Sequence, residues 1–144
     1  MSASASTPVT GVDFVNVPTT DLDRAREFYG EVLGLEASAV YQRGDAPAMG
    51  AEFETGTLTI SVVDPSAIGR EFRANPLPIA LRVDDVAAAR AELEARGVAF
   101  SADTLDTGVC HMAFFADPDG NPLMLHRRYA PRGEQSRPVS SIDT

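Results

Sequence analysis

Val12 to Leu35 reads VDFVNVPTTDLDRAREFYGEVLGL, and Pro76 to Val98 reads PLPIALRVDDVAAARAELEARGV. Each stretch is an apolar strand followed by an acidic cap, an amphipathic helix and a closing glycine. Aligning Asp21 with Asp85 gives an offset of 64 (85 − 21), and the same shift carries Phe14 to Pro78, Arg26 to Arg90 and Gly56 to Gly120. One offset holding across separate elements marks a duplicated module, and a repeat governs the architecture that contains it.

Outward from these two stretches the elements follow in order. Val9 to Val17 is rich in β-branched residues and reads as a strand. Thr20 or Asp21 caps the next helix, because a short side-chain acceptor satisfies its free N–H groups. Leu22, Ala25, Phe28, Tyr29, Val32 and Leu33 then share one face, and Gly34 ends the helix. Leu35 to Tyr41, Gly50 to Phe53 and Thr57 to Val63 are expected strands, with a loop at QRGDAPAMG and a turn at Glu54 to Gly56. Asp64 to Leu77 is a connector with a short helical turn in SAIGREF.

The second copy begins with a strand at Ile79 to Val83. Asp84 or Asp85 caps a helix with Val86, Ala89 and Leu93 inward, and Gly97 closes it. Strands are expected to begin at Val98 to Ser101 and to run over Val109 to Phe115 and Leu123 to His126. Between the last two, Asp117-Pro118-Asp119-Gly120-Asn121 is a turn, with Pro fixing φ and Gly supplying positive φ. Two βαβββ modules predict an α+β fold of curved mixed sheets with helices on the outer face. The expected division is a tail over 1–8, one domain over 9–129 (modules 9–63 and 78–129, connector 64–77) and a tail over 130–144.

The chain has 144 residues, enough for one sizeable core. A formal charge of −9 argues against nucleic acid or an anionic membrane as partner. All twelve basic residues are Arg. The single Cys110 excludes an internal disulfide and a multi-Cys zinc site, and fits a reducing, cytoplasmic setting. MSASASTP lacks the basic and apolar regions of a secretory signal, and no stretch is long and apolar enough to span a bilayer.

The repeat, with DLDRAREFYGEVLGL and FFADPDGNPLMLH, resembles the vicinal oxygen chelate superfamily over about Val9 to Tyr129. That group includes glyoxalase I, extradiol dioxygenases and bleomycin-resistance proteins. The resemblance implies four strand positions that hold a metal in the enzymes: seven residues before each cap Asp, and four after the glycine of each β-turn. Carried over, these are Phe14, Pro78, Ile60 and Met124. None offers an oxygen or nitrogen side-chain donor, and a divalent ion needs several at once. The expectation is therefore no metal and no cofactor.

Strand residues alternate faces. If these positions face a cavity, so do Val12, Asn16, Leu58, Val62, Ala80, Arg82 and His126, giving an apolar pocket with Asn16, Arg82 and His126 as its polar groups. This parity sends Thr57, Thr59 and Ser61 toward the helices, so a one-residue slip in that strand is the open alternative. Tyr41 and Arg43, beside a loop with Gly and Pro, either rim the cavity or belong to a solvated loop. The expected ligand-binding residues are Phe14, Asn16, Tyr41, Ile60, Pro78, Arg82, Met124 and His126. Cys110 and His111 point to opposite faces, so they form no nucleophile pair. Cys110 reads as core and His111 as either a pocket acid/base or a buried imidazole. His111 and His126 are the only catalytic candidates, able to approach across a hairpin. Arg82 is a candidate ion-pair partner of Glu52 or Asp84.

Three functions follow. The first is a metal-free protein that binds an apolar or aromatic small molecule, as a homodimer of the kind the resemblance implies. The second is a lyase, isomerase or dioxygenase-like enzyme with an atypical metal or acid/base site. The third is a protein–protein interaction module.

Overall fold

The computed structural model describes residues 6–132; positions 1–5 and 133–144 of the two expected tails lie outside them. The first module runs β1 (Phe14–Pro18), α1 (Leu22–Glu27), β2 (Glu36–Tyr41), β3 (Gly50–Glu54) and β4 (Thr59–Val63). The second runs β5 (Ile79–Arg82), α2 (Val86–Ala95), β6 (Leu105–Asp106), β7 (Cys110–Ala116) and β8 (Pro122–Arg128). Each module makes one four-stranded sheet, ordered β1-β4-β3-β2 and β5-β8-β7-β6. In both, the first strand pairs parallel with the last and the remaining pairs are antiparallel. This is the α+β duplication expected from the repeat. No described helix is long and apolar enough to cross a membrane.

The helix starts obey local chemistry. Asp21 and Asp85, both extended in backbone, accept the N–H groups of Arg24 (3.1 Å) and Ala88 (3.0 Å). Gly34 and Gly97 follow the helices with φ of 74° and 93°, a conformation that costs a residue with a Cβ 1–2 kcal/mol or so. The first helix does not stay α-helical as its periodicity suggests. It widens into a π-helical turn over Phe28–Val32, closed by Leu33 N–H to the Phe28 carbonyl at 2.9 Å. Phe28 and Tyr29 are adjacent, yet both are buried and meet edge to face.

One core spans both modules. Val17, Ala25, Phe53, Ile60 and Val62 pack in it with Val86, Leu93, Ala113, Phe115, Leu123 and Leu125. The expected 64-residue offset holds for the caps and for Val15 and Ile79, then drifts. Val15 lies beside Ile60 while Ile79 lies beside Leu123, a shift of 63 (123 − 60). Ile60 in turn faces Phe53 and Leu123 faces Phe115, a shift of 62 (115 − 53). The final hairpins differ in length, with four linking residues (Thr55 to Leu58) against five (Asp117 to Asn121).

That drift corrects the fourth strand. Ile60 and Val62 are fully buried against the helices, and Thr59, Ser61 and Val63 take the opposite face. Ile60, expected to line the cavity on the face away from the helices, lies instead on the helix side, in the core and against the space beside α2, and Ser61 holds the place that corresponds to Met124. The slip left open in the sequence is the arrangement found. Two smaller differences follow from edge effects. β1 starts at Phe14 rather than Val9, because no partner strand extends along residues 9–13. Val98 to Ser101 forms no strand; Ser101 bonds toward β7, its N–H and Oγ both donating to the Phe114 carbonyl, and the edge strand comes later at Leu105–Asp106.

The DPDGN turn of the second module docks on the start of α1. Asp119 accepts from Thr19 Oγ1 (2.5 Å), Thr20 N (2.9 Å), Thr20 Oγ1 (2.6 Å) and Arg24 (2.9 Å). Asp117 accepts from the Tyr29 hydroxyl (2.7 Å), from the N–H groups of Asp119 and Asn121 and from Asn121 Nδ2. Asn121 also donates to the Pro18 carbonyl and accepts from Asn75 N–H. Buried polar groups are tolerated when each finds a partner, and this set is mutually satisfied.

Candidate functional site

The site is built from the sheet faces turned away from the helices. Lateral neighbours in a ladder share a face. On the first sheet this puts Phe14 beside Thr59, and Asn16 beside Ser61 and Glu52, with Glu54 next along β3. Tyr41, on the edge strand, donates its hydroxyl to Glu52. On the second sheet it puts Ala80 beside Met124 and Phe114, and Arg82 beside His126 and Met112. Among the sequence-predicted residues the fold thus assembles two groups. Phe14, Asn16 and Tyr41 lie on one sheet, and Arg82, Met124 and His126 on the other. Pro78 precedes β5 and is partly exposed.

The two faces differ in chemistry. The first is more polar than expected, because the slip in β4 brings Thr59 and Ser61 onto it in place of Leu58, Ile60 and Val62. Glu54 accepts from Ser38 (2.5 Å) and Thr59 (2.7 Å), and these bonds hold its carboxyl below the usual range. The bond to Glu52 raises the Tyr41 phenol above its ordinary value. Phe14 adds an open apolar surface, half exposed at 50%. The second face carries Met112, Met124 and Phe114 with two basic groups, Arg82 and His126. Burial first, then the nearby Arg132 and Arg128, depress the His126 imidazole below its ordinary value, so it is neutral at pH 7.

Other expectations resolve differently. His111 and His126 do not meet: His111 pairs in register with Arg127 and His126 with Met112, so the imidazoles occupy opposite faces. His111 is neither in the pocket nor buried. It is 43% exposed, 3.4 Å from Asp106, and its ring lies 4.9 Å from that of Tyr129. Cys110 is buried, as expected of a core residue, beside Thr107 Oγ1 at 3.1 Å. Glu52 bonds Tyr41 on the first sheet instead of pairing with Arg82 on the second.

Sequence reasoning offered Glu52 only as an ion-pair partner of Arg82 and passed over Glu54, although the signal for both was available. GAEFE alternates, with Ala51 and Phe53 buried and the two glutamates on the other face. It also passed over Met112 and Phe114, because parity was not carried into β7.

A divalent ion does not fit the corresponding positions. Phe14, Ser61, Pro78 and Met124 together offer one neutral hydroxyl. Hard cations take several carboxylate or carbonyl oxygens, and zinc takes imidazole, thiolate or carboxylate. No cluster of three or more His, Cys, Asp or Glu side chains suited to a metal occurs among the described residues.

Several solved structures share this arrangement. TnmS3, an antibiotic-binding protein from Streptomyces sp. CB03234, is 29% identical, with 85% of this chain and 99% of that one covered at a TM-score of 0.70. A glyoxalase/bleomycin resistance protein from the same source is 28% identical, covering 81% and 100% at a TM-score of 0.64. A lactoylglutathione lyase from Agrobacterium tumefaciens, at 22% identity, covers 83% and 95% with a TM-score of 0.65, which is a likeness of fold. No curated protein matches the chain. The model of the Glyoxalase/Bleomycin resistance protein/Dioxygenase superfamily matches residues 11–125, and the chain belongs to that superfamily.

Proposed function

We propose that this protein binds a small molecule without a metal, holding an apolar or aromatic body against the two concave sheet faces. The observation that carries the reading is the donor set. A scaffold whose metal-dependent members use four ligands has Phe14, Ser61, Pro78 and Met124 there, side chains suited to contact with an organic surface. Apolar walls with a few placed polar groups are the usual composition of such a site. Here Asn16 and the Tyr41–Glu52 pair orient the ligand from one side, and Arg82 and His126 from the other. The similarity to an antibiotic-binding protein supports a natural-product-like ligand of this kind.

The active form on this reading is a homodimer. Phe14 and Tyr41 are 50% and 42% exposed, and the Glu52 and Glu54 carboxylates of the first face complement the Arg82 guanidinium of the second. A two-fold pairing that lays one face over the partner's other face closes two equivalent cavities. The test is native mass spectrometry of protein purified without added metal. The expected result is a dimer with an organic molecule retained and metal well below one per subunit. A divalent ion at one per subunit that survives chelator treatment overturns the reading.

One observation favours a second reading, a cofactor-free acid/base enzyme. His126 is held neutral on a partly covered face, as a general base requires. Turnover abolished by His126→Gln, with ligand affinity retained, would select it over simple binding.

A further inference from the structure

The two module seams are related by the repeat but are filled differently. Tyr29 and Leu93 correspond, each eight residues after its helix cap (29 − 21 and 93 − 85). Asp117 and Thr55 also correspond, each the first residue after the third strand of its module. They organise their turns alike: Asp117 Oδ1 accepts the N–H groups of Asp119 and Asn121, and Thr55 Oγ1 accepts those of Thr57 and Leu58. At the first seam the Tyr29 ring lies between α1 and the second module's turn, its hydroxyl on Asp117. At the second seam both partners are smaller and aliphatic or neutral. A cavity of about 420 Å³ opens there, walled by Leu33, Leu35, Leu58, Ala89 and Leu93.

The cavity has a polar side that the missing ring does not explain, made by Thr57, Glu92 and Arg96 together with β5. Ile79, Ala80, Leu81, Arg82 and Val83 line it consecutively, although successive strand residues point to opposite faces. What they share is the outer backbone edge of β5, the end strand of its sheet, with no strand paired to it among the described residues. Unpaired backbone N–H and C=O groups facing an apolar space favour an occupant that hydrogen-bonds to them. The cleft is open on one side, and a space of this size suits a small organic ligand.

We propose that this seam is a second binding site, separate from the concave faces, for a monocyclic phenol or a similar aromatic ring with one hydrogen-bonding group. The ring takes the place that Tyr29 takes at the other seam, between α2 and the Thr55 turn. Its hydroxyl meets the free edge of β5.

The test is titration of the full chain with 4-methylphenol, followed by methyl NMR. Saturable shifts at Leu33, Leu58 and Leu93 are expected, with one equivalent bound. Leu93→Tyr supplies the ring from within the chain and should weaken binding at least tenfold. Ala89→Leu, which narrows the same space from the helix, should do so too and serves if Leu93→Tyr fails to fold. Absence of saturable shifts in the wild-type protein, shifts centred instead on Met112 and Met124, or wild-type affinity in a folded filled variant would each overturn the proposal.

Discussion

Tyr29 donates its hydroxyl to Asp117 at 2.7 Å, across 88 positions of sequence and from one module to the other. Burial, then the Asp117 and Asp119 charges, raise the phenol far above its ordinary value, so the donor proton is always present. The contact ties α1 to the hairpin of the second sheet. Removing the hydroxyl leaves Asp117 with fewer donors in a covered place. Tyr29→Phe should therefore cost about 1–3 kcal/mol, the usual penalty for an orphaned buried partner. Urea denaturation should show a lower midpoint at unchanged slope; an unchanged midpoint would show that the seam does not need this bond.

Asp119 extends the same seam. Burial pushes its carboxyl up, but the bonds from Thr19 and Thr20 and the Arg24 guanidinium outweigh this and hold it below the ordinary carboxylate value. A depressed folded value means the unfolded chain binds the proton more readily. The contribution is complete above the unfolded value of about 3.9 and is lost as pH falls toward the folded one. Asp119→Asn should lower the melting temperature at pH 7 and flatten its decline between pH 5 and 3. Parallel acid profiles for the two proteins would contradict the assignment.

The fourth strand tests how far the repeat can be read from sequence. The duplication was legible because caps, helix faces and closing glycines are local signals that survive at a constant spacing. The concave face was less legible, because the spacing falls by two between the helices and the third strands and regains one at the final hairpin, and in a strand a net shift of one residue exchanges the faces. Thr59, Ser61 and Val63 give no apolar contrast with Ile60 and Val62 strong enough to override a counted offset. His111 and His126 were drawn together by proximity around a hairpin, but their odd separation of 15 (126 − 111), together with a register that pairs His111 with Arg127, puts them on opposite faces.

The consequence is measurable at two adjacent residues. Ile60→Ala removes a fully buried side chain from the shared core and should cost about 2–5 kcal/mol. Ser61→Ala, on the concave face and itself buried, removes one hydroxyl and should cost about 1 kcal/mol or less, well under the Ile60 loss, while acting on ligand affinity. Comparable losses of stability in the two variants would mean that the strand is misregistered.

His126 supplies the last expectation. Its neighbours in the second sheet are Met112 across β7 and Arg82 across β5, and Arg128 lies two residues on along β8. Desolvation and nearby guanidinium groups both oppose a positive imidazole, so its folded value lies below about 6.5, the unfolded one. Below 6.5 the unfolded chain then takes up the proton first, and stability should rise with pH across the interval between the two values. His126→Gln should remove that slope. If an anionic ligand sits on this face, it reverses the balance by favouring the charged imidazole, and binding should take up a proton near pH 6. Imidazole NMR with and without ligand separates these effects: a midpoint at or above 6.5 in the free protein would show that the face is neither desolvated nor under the influence of the arginines.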